Sequence, residues 1–270
     1  MKHDTLTTLK LLAWSFCTVV LGIFLVPLIQ QNGVKIPAME IGMVLPLVGV
    51  VLLGAFGWWA IIKYNRLSIA GLYSGFTGVV MFDVVLRFSP WWYAMLIGVL
   101  GGLTQLFIAR AIRNSDWVEK GKFVPYSNIL QSLLLLCVGA LLASAFSPIA
   151  AFAFLALVAV YDAVAVWKLK TMQKMALSFI EQGVLPGFAV AKEKKDDWAL
   201  IGGGDIFFII AVAGSLYKTV GFVPVLIVAG GMMAALVALF AWSTKGKSYP
   251  ALPYLLVGAL VGLGIVWGVL

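Results

Sequence analysis

The chain has 270 residues, 63% of them hydrophobic and 11% charged, with mean hydropathy +1.05 and a formal net charge of +8 at pH 7. Such a composition lies far outside the soluble globular range and points to an integral membrane protein, with no polar stretch long enough to fold alone as a soluble domain. The positive charge reads as anchoring to anionic lipid rather than as a nucleic-acid patch, so no nucleic-acid partner is expected.

A spanning helix needs about 20 apolar residues. The hydropathy pattern predicts nine, over residues 9–29, 41–62, 67–88, 91–112, 126–146, 149–168, 199–218, 222–242 and 250–270. The expected architecture is therefore all-α, one membrane-embedded domain over 1–270. Helices one to six lie in 1–168, a cytoplasmic loop fills 169–198, and helices seven to nine lie in 199–270. The first span has basic flanks without a small-residue cleavage site, which reads as a retained helix and not a signal peptide. Residues 126–167 would be roughly 60 Å long as one helix, about twice the hydrocarbon thickness, so they must cross twice, with Ser147-Pro148 as the turn. Lys218 and the Gly221…Pro224 segment separate spans seven and eight in the same way.

Basic residues set the orientation. An inside N-terminus places 16 of the 19 Lys and Arg in the cytoplasm and leaves Lys35, Arg87 and Lys218 outside, as the positive-inside rule requires. The C-terminus then lies outside.

Three acids lie within the spans. Asp83 has Arg87 four residues later on the same helical face, a spacing suited to a local ion pair with a structural role. Cys17 and Cys137 sit mid-span and read as small apolar core residues rather than a disulfide. Asp162 and Asp205 have no such local partner, and an intramembrane carboxyl is by default a functional candidate. Asp162 lies about 9 Å of helix from the inner boundary at Lys168, and Asp205 roughly 10–12 Å in from Trp198. Matched depth on consecutive antiparallel helices lets the two carboxyls share a pocket reached by water from inside.

The lone histidine, His3, stands in the N-terminal tail, so Ser-His, Cys-His and H-E-x-x-H chemistry are all missing, and no metal or cofactor is expected. A carboxylate pair remains. Two carboxyls held near 3 Å share a proton, and such a dyad can deprotonate a water while protonating a carbonyl. Paired intramembrane acids also carry protons or cations in transporters and channels, so burial alone leaves both readings open. Gly202-Gly203-Gly204 before Asp205 weaken the helix start by about 1 kcal/mol each and let another backbone approach. Gly71-x-x-x-Gly75, Gly98-x-x-x-Gly102 and Gly258-x-x-x-Gly262 read as ordinary helix contacts.

Tyr161-Asp162 in span six, Gly202-Gly203-Gly204-Asp205 in span seven and Pro250-Ala251-Leu252 opening span nine resemble the YD, GxGD and PAL motifs of the presenilin and signal peptide peptidase family. Their order, on helices six, seven and nine of nine, makes the combination specific. The diagnostic motifs occupy about the last 110 residues. The resemblance implies a GxGD intramembrane aspartyl protease, a hydrolase that cuts peptide bonds within transmembrane helices. Asp162 and Asp205 would be the catalytic pair. Tyr161, Gly202, Gly203, Gly204, Pro250, Ala251 and Leu252 would shape the site and contact substrate. The short tails and compact loop resemble microbial homologues, so no accessory subunit is called for, and self-association into a homo-oligomer is left open. Presenilins and signal peptide peptidases insert in opposite directions. The inside N-terminus matches the presenilin direction and implies single-pass substrates with their N-terminus outside.

In the loop, Met172, Met175, Ala176, Phe179 and Ile180 alternate with a polar face at helical spacing, which predicts an amphipathic helix. It reads as an interfacial segment, or as a gate over the aspartates with Pro186-Gly187 as hinge. A substrate helix must unwind to expose its scissile carbonyl. Strand-like pairing with the loop, or with backbone near Pro250, would satisfy the freed amides. Two alternatives stand beside the protease reading. A transporter would show a matching Asp-bearing segment in the first half, and none is seen. A prepilin peptidase shares G-x-G-D but usually has a lysine where Ile206-Phe207-Phe208 follows here.

Overall fold

Backbone N–H and C=O groups in hydrocarbon need partners within their own segment, which is why the apolar stretches of this chain are helical. The structure is a computed structural model that describes residues 5–32, 69–115, 117–169, 178–191, 198–243 and 249–269. In chain order it contains α1 (Thr5–Asn32), α2 (Ile69–Leu86), α3 (Trp91–Asn114), α4 (Trp117–Ala145), α5 (Pro148–Val164) and a π turn (Ala165–Leu169). Two strands follow, β1 (Gly187–Ala191) and β2 (Trp198–Gly202), then α6 (Gly203–Ser215), α7 (Tyr217–Val220), α8 (Phe222–Trp242) and α9 (Leu252–Val269). Among the described residues seven helical stretches are long and apolar enough to cross a membrane, and α9 is a shorter apolar helix. The chain is a polytopic, helical membrane protein. Eight of the nine expected spans correspond to these helices; the second, 41–62, lies outside the described residues.

The predicted breaks have clear local causes. Ser147 caps α5 by accepting the Ala150 N–H at 3.3 Å, and Pro148 occupies the first turn, where a missing N–H costs nothing. Gly221 takes φ +80° between α7 and α8, a conformation that ends one helix and lets the next begin.

Helix α6 is the hub. It packs against α1, α4, α5, α8 and α9, and Ile206, Ile209 and Ile210 are fully buried in it. Around it, close helix crossings use glycine. On the α2–α3 crossing a Cβ at Gly98 would lie 2.7 Å from the Gly78 carbonyl, and on the α8–α9 crossing one at Gly258 would lie 2.5 Å from the Gly231 carbonyl. The expected stripes at Gly98/Gly102 and Gly258/Gly262 are thus real contacts. Gly75 is not: nothing lies within 4 Å of its Cβ position, and Gly78, one turn on, faces the partner helix instead.

Two further expectations change. Cys137 is a buried core residue, but Cys17 is exposed on the helix surface. The seventh span is not helical from 199, because residues 199–202 belong to β2, and the helix starts at Gly203.

The connection between α5 and α6 is more built than an interfacial loop. Residues 170–177, which carry most of the expected amphipathic helix, lie outside the described residues, while 178–181 form a helical turn. After it, Val184, Leu185, Phe188 and Ala189 are fully buried. The Ile69 N–H, an orphan donor at the start of α2, donates to Gln182 Oε1 at 2.9 Å. Phe188 stacks on Trp14 of α1 with ring centroids 6.1 Å apart. This segment is therefore part of the core that walls the site.

Candidate active site

Helix α5 delivers Asp162 at the point where its winding loosens. The Ala165 N–H is shared between the carbonyls of Asp162 and Tyr161, and the π turn follows directly. Such turns recur at functional positions because they re-aim side chains without ending the helix. Asp162 is 9% exposed, and Oδ2 accepts the Leu252 N–H at 3.2 Å, with the Ala251 amide also directed at the carboxylate. Those amides open α9, where the first N–H groups have no partner inside the helix. Asp162 thus acts as a cap for a helix 90 residues away, and its negative charge sits at the positive end of that helix.

Helix α6 delivers Asp205 from its own first turn. Gly202 is the N-cap, and Asp205 stands three residues later, half-buried. A Cβ at Gly202 would lie 3.1 Å from Asp205 Oδ2, so the carboxylate folds back closely over Gly202 and would have to give way by a few tenths of an ångström to any side chain there. The carboxyls of Asp162 and Asp205 are close enough to act on each other as charges, and α5, α6 and α9 pack mutually around them. Phe154 of α5 and Phe208 of α6 pack with centroids 5.6 Å apart, pinning the two helices together.

The glycine run divides into three roles. Gly202 borders the carboxylate. Gly203 faces the opposite way: its N–H donates to the Pro186 carbonyl at 2.9 Å, and a Cβ there would meet Leu135 Cδ2 at 2.8 Å. Gly204 has nothing within 4 Å of its Cβ position, so this is the open side. Of the other expected site residues, Tyr161 is half-buried beside Asp162, and Pro250, Ala251 and Leu252 are buried at the head of α9. The arrangement brings Asp162, Asp205, Gly202, Ala251 and Leu252 into one place.

The hairpin adds a feature that hydropathy did not reveal. β1 and β2 pair antiparallel, with Gly187 opposite Gly202 and Ala189 opposite Leu200. In such a ladder, opposed residues alternate between pairs that bond each other and pairs whose N–H and C=O point outward. Ala189 is of the second kind, since its N–H donates to Asn128 Oδ1 at 3.0 Å and its carbonyl accepts from Asn128 Nδ2 at 2.9 Å. Leu200 must then direct its own N–H and C=O, and Gly202 its N–H, away from β1, along an edge that no other strand among the described residues pairs with. That edge runs straight into the turn that carries Asp205.

Asn128 was not singled out by sequence. The available signal was polarity: Ser127, Asn128 and Gln131 lie together in an otherwise apolar span, and all three are buried. Among the described residues no group of His, Cys, Asp and Glu could hold a metal ion.

No protein-family model matches the chain, and no curated protein matches it. Solved structures do. The chain is similar to a presenilin family intramembrane aspartate protease in space group C222, at TM-score 0.66 and 18% identity, over 97% of this chain and 99% of that one. It is also similar to a presenilin family intramembrane aspartate protease in space group P2, at TM-score 0.68 and 20% identity, over 99% of this chain and all of the other. Capped acid, glycine-bordered acid and helix-opening amides thus meet within a scaffold matched end to end, and the chain has the fold of the presenilin-family intramembrane aspartate proteases.

Proposed function

We propose that this chain is an intramembrane aspartyl protease in which Asp162 and Asp205 form the catalytic dyad. The observation that supports the reading is that the Asp162 carboxyl, held by the amides of Ala251 and Leu252, lies within electrostatic reach of the Asp205 carboxyl. In the proposed reaction one carboxylate takes a proton from a water molecule whose oxygen attacks the scissile carbonyl carbon. The other, protonated, carboxyl gives its proton to the carbonyl oxygen, so a neutral tetrahedral diol forms. Collapse of the diol breaks the C–N bond, as the amide nitrogen takes the proton that the first carboxyl gained from water and leaves as an amine. One of the two diol hydroxyls gives its proton to the second carboxylate, which leaves a carboxylic acid product and restores the dyad. The titration belongs to the pair and not to either residue.

The amides of Ala251 and Leu252 hold the Asp162 carboxylate, which fixes one member of the dyad while Asp205 is aimed by the Gly202 turn. Gly204 leaves a path for substrate backbone. An unwound substrate helix needs partners for its freed amides, and the outward N–H and C=O of Leu200 with the N–H of Gly202 offer them by strand addition. Substrates would be single-pass transmembrane helices. With the N-terminus inside, as the basic residues imply, the site opens toward the cytoplasm and prefers substrates whose N-terminus is outside.

The test is incubation of the purified protein in proteoliposomes with a single-span peptide, followed by mass spectrometry of the fragments. Cuts inside the apolar segment, blocked by a hydroxyl-bearing peptide isostere and indifferent to chelators, are expected. Intact peptide under these conditions, or proton or cation flux in its place, would contradict the protease reading.

A further inference from the structure

Asn128 makes a contact that no other described side chain makes: both ends of its amide bond the backbone of one strand residue. The Ala189 N–H donates to Oδ1 and the Ala189 carbonyl accepts from Nδ2, and both Asn128 and Ala189 are buried. A carboxamide carries one acceptor and two donors in the same plane as a peptide group, so it can stand in for the next strand of a sheet. Asn128 occupies the outward edge of β1 at its central residue, 61 positions away along the chain.

What depends on that edge is the height of the strand. Ala189 is opposite Leu200 and Gly187 is opposite Gly202, while the Gly203 N–H bonds the Pro186 carbonyl at 2.9 Å. Gly202 caps α6, and Asp205 lies in its first turn. Fixing Ala189 therefore fixes Leu200, Gly202 and the start of the helix that aims Asp205. The fixing point is itself held: Ser132 Oγ donates to the Asn128 carbonyl at 2.9 Å and accepts from Thr18 Oγ1 of α1 at 3.0 Å.

We infer that Asn128 is a positioning residue for the active site: by acting as a side-chain third strand on β1, it sets the register and depth at which the hairpin presents Asp205 and the β2 edge. This deepens the protease reading and rests on it. Misplacement of a reacting group by about 1 Å costs up to a hundredfold in rate, so a positioning role has a distinct kinetic mark.

The experiment compares wild type with Asn128→Leu, Asn128→Asp and the control Gln131→Leu, in proteoliposomes. Gln131 is one turn away on the same helix, fully buried, and bonds Tyr73 Oη at 2.7 Å rather than the hairpin. Two quantities are read: hydrogen exchange of residues 187–202, and kcat and KM on a single-span peptide. Asn128→Leu should exchange at least about tenfold faster in that segment and lose about tenfold or more in kcat, with any rise in KM reporting the shift of the β2 edge. Asn128→Asp keeps the volume and one acceptor but loses the donor, so it should fall between, and it decides the matter if the leucine variant does not fold. Gln131→Leu should leave both quantities near wild type. Faster exchange with unchanged kcat would reduce Asn128 to a structural role, and unchanged exchange would overturn the inference outright. A wild-type protein that cuts nothing would overturn the protease reading and the catalytic part of this inference together. The exchange comparison, which needs no turnover, would show separately whether Asn128 anchors the hairpin.

Discussion

Asp83 and Asp162 are both carboxylates on apolar helices, and they are partnered in opposite ways. Asp83 finds Arg87 on the next turn of its own helix, with Arg87 Nη2 and Nε donating to Oδ2 at 3.0 and 3.3 Å. Asp162 finds no cation among the described residues. Its partners are backbone amides at the head of α9 and the like-charged Asp205 on α6. A local pair neutralises itself wherever its helix goes, and it tolerates change in the rest of the fold. A carboxylate held by distant amides and opposed by a second carboxylate stays where it is only because three helices and a hairpin converge on it. Such an arrangement is hard to explain as mere charge burial, since it sets two carboxyls near enough to act on each other as charges.

Breaking the convergence should therefore cost activity, while breaking the local pair should cost almost nothing. Apart from the aspartates themselves, the largest effect is expected at Gly187. Its φ of +145° is a region other residues rarely adopt, and a Cβ there would run into the Ile201 carbonyl. Gly187→Ala should disorder the pairing with Gly202 and lower kcat by about a hundredfold, read by peptide cleavage alongside hydrogen exchange of the hairpin. A smaller effect is expected at Gly202, where a Cβ would press on Asp205 Oδ2 at 3.1 Å without moving the backbone. Gly202→Ala should lower kcat by about tenfold and leave thermal stability near wild type, a split that steady-state kinetics and a melting curve together resolve. The smallest effect belongs to the other region. Asp83→Asn should cost about 0.5 kcal/mol of stability, because the Asp83 side chain is 46% exposed and an i,i+4 pair at a helix end is worth little. Its cleavage rate should be unchanged. A large loss of activity in Asp83→Asn would erase the contrast between the two regions.

Much of this was legible in the sequence, and what was not has a physical reason. Span positions follow from hydropathy because the bilayer imposes length and apolarity on every crossing. The Asp83–Arg87 pair follows from spacing because it lies within one helix. The two other acids and the segment Pro250-Ala251-Leu252 were marked by motifs. Rotation of each helix was not legible: lipid is as apolar as a protein core, so hydropathy cannot say which face is buried. That is why Cys17 proved exposed and why Gly78, not Gly75, meets α3. The hairpin was missed for a related reason. Gly187–Ala191 and Trp198–Gly202 are short apolar runs, which periodicity cannot assign to strand or helix. The second strand was absorbed into the expected seventh helix. Asn128 was missed because its partner, Ala189, is remote in sequence and contributes only backbone.

The most direct test of the dyad is single-turnover cleavage of a single-span peptide in proteoliposomes by wild type, Asp162→Asn, Asp205→Asn and the double variant, across pH. Wild type should give a bell-shaped profile, since one carboxyl must be ionised and the other protonated. Each single variant should fall about a thousandfold or more, and the double variant should be no slower, as expected of groups acting as one unit. Either single variant retaining a substantial part of wild-type cleavage would contradict the account.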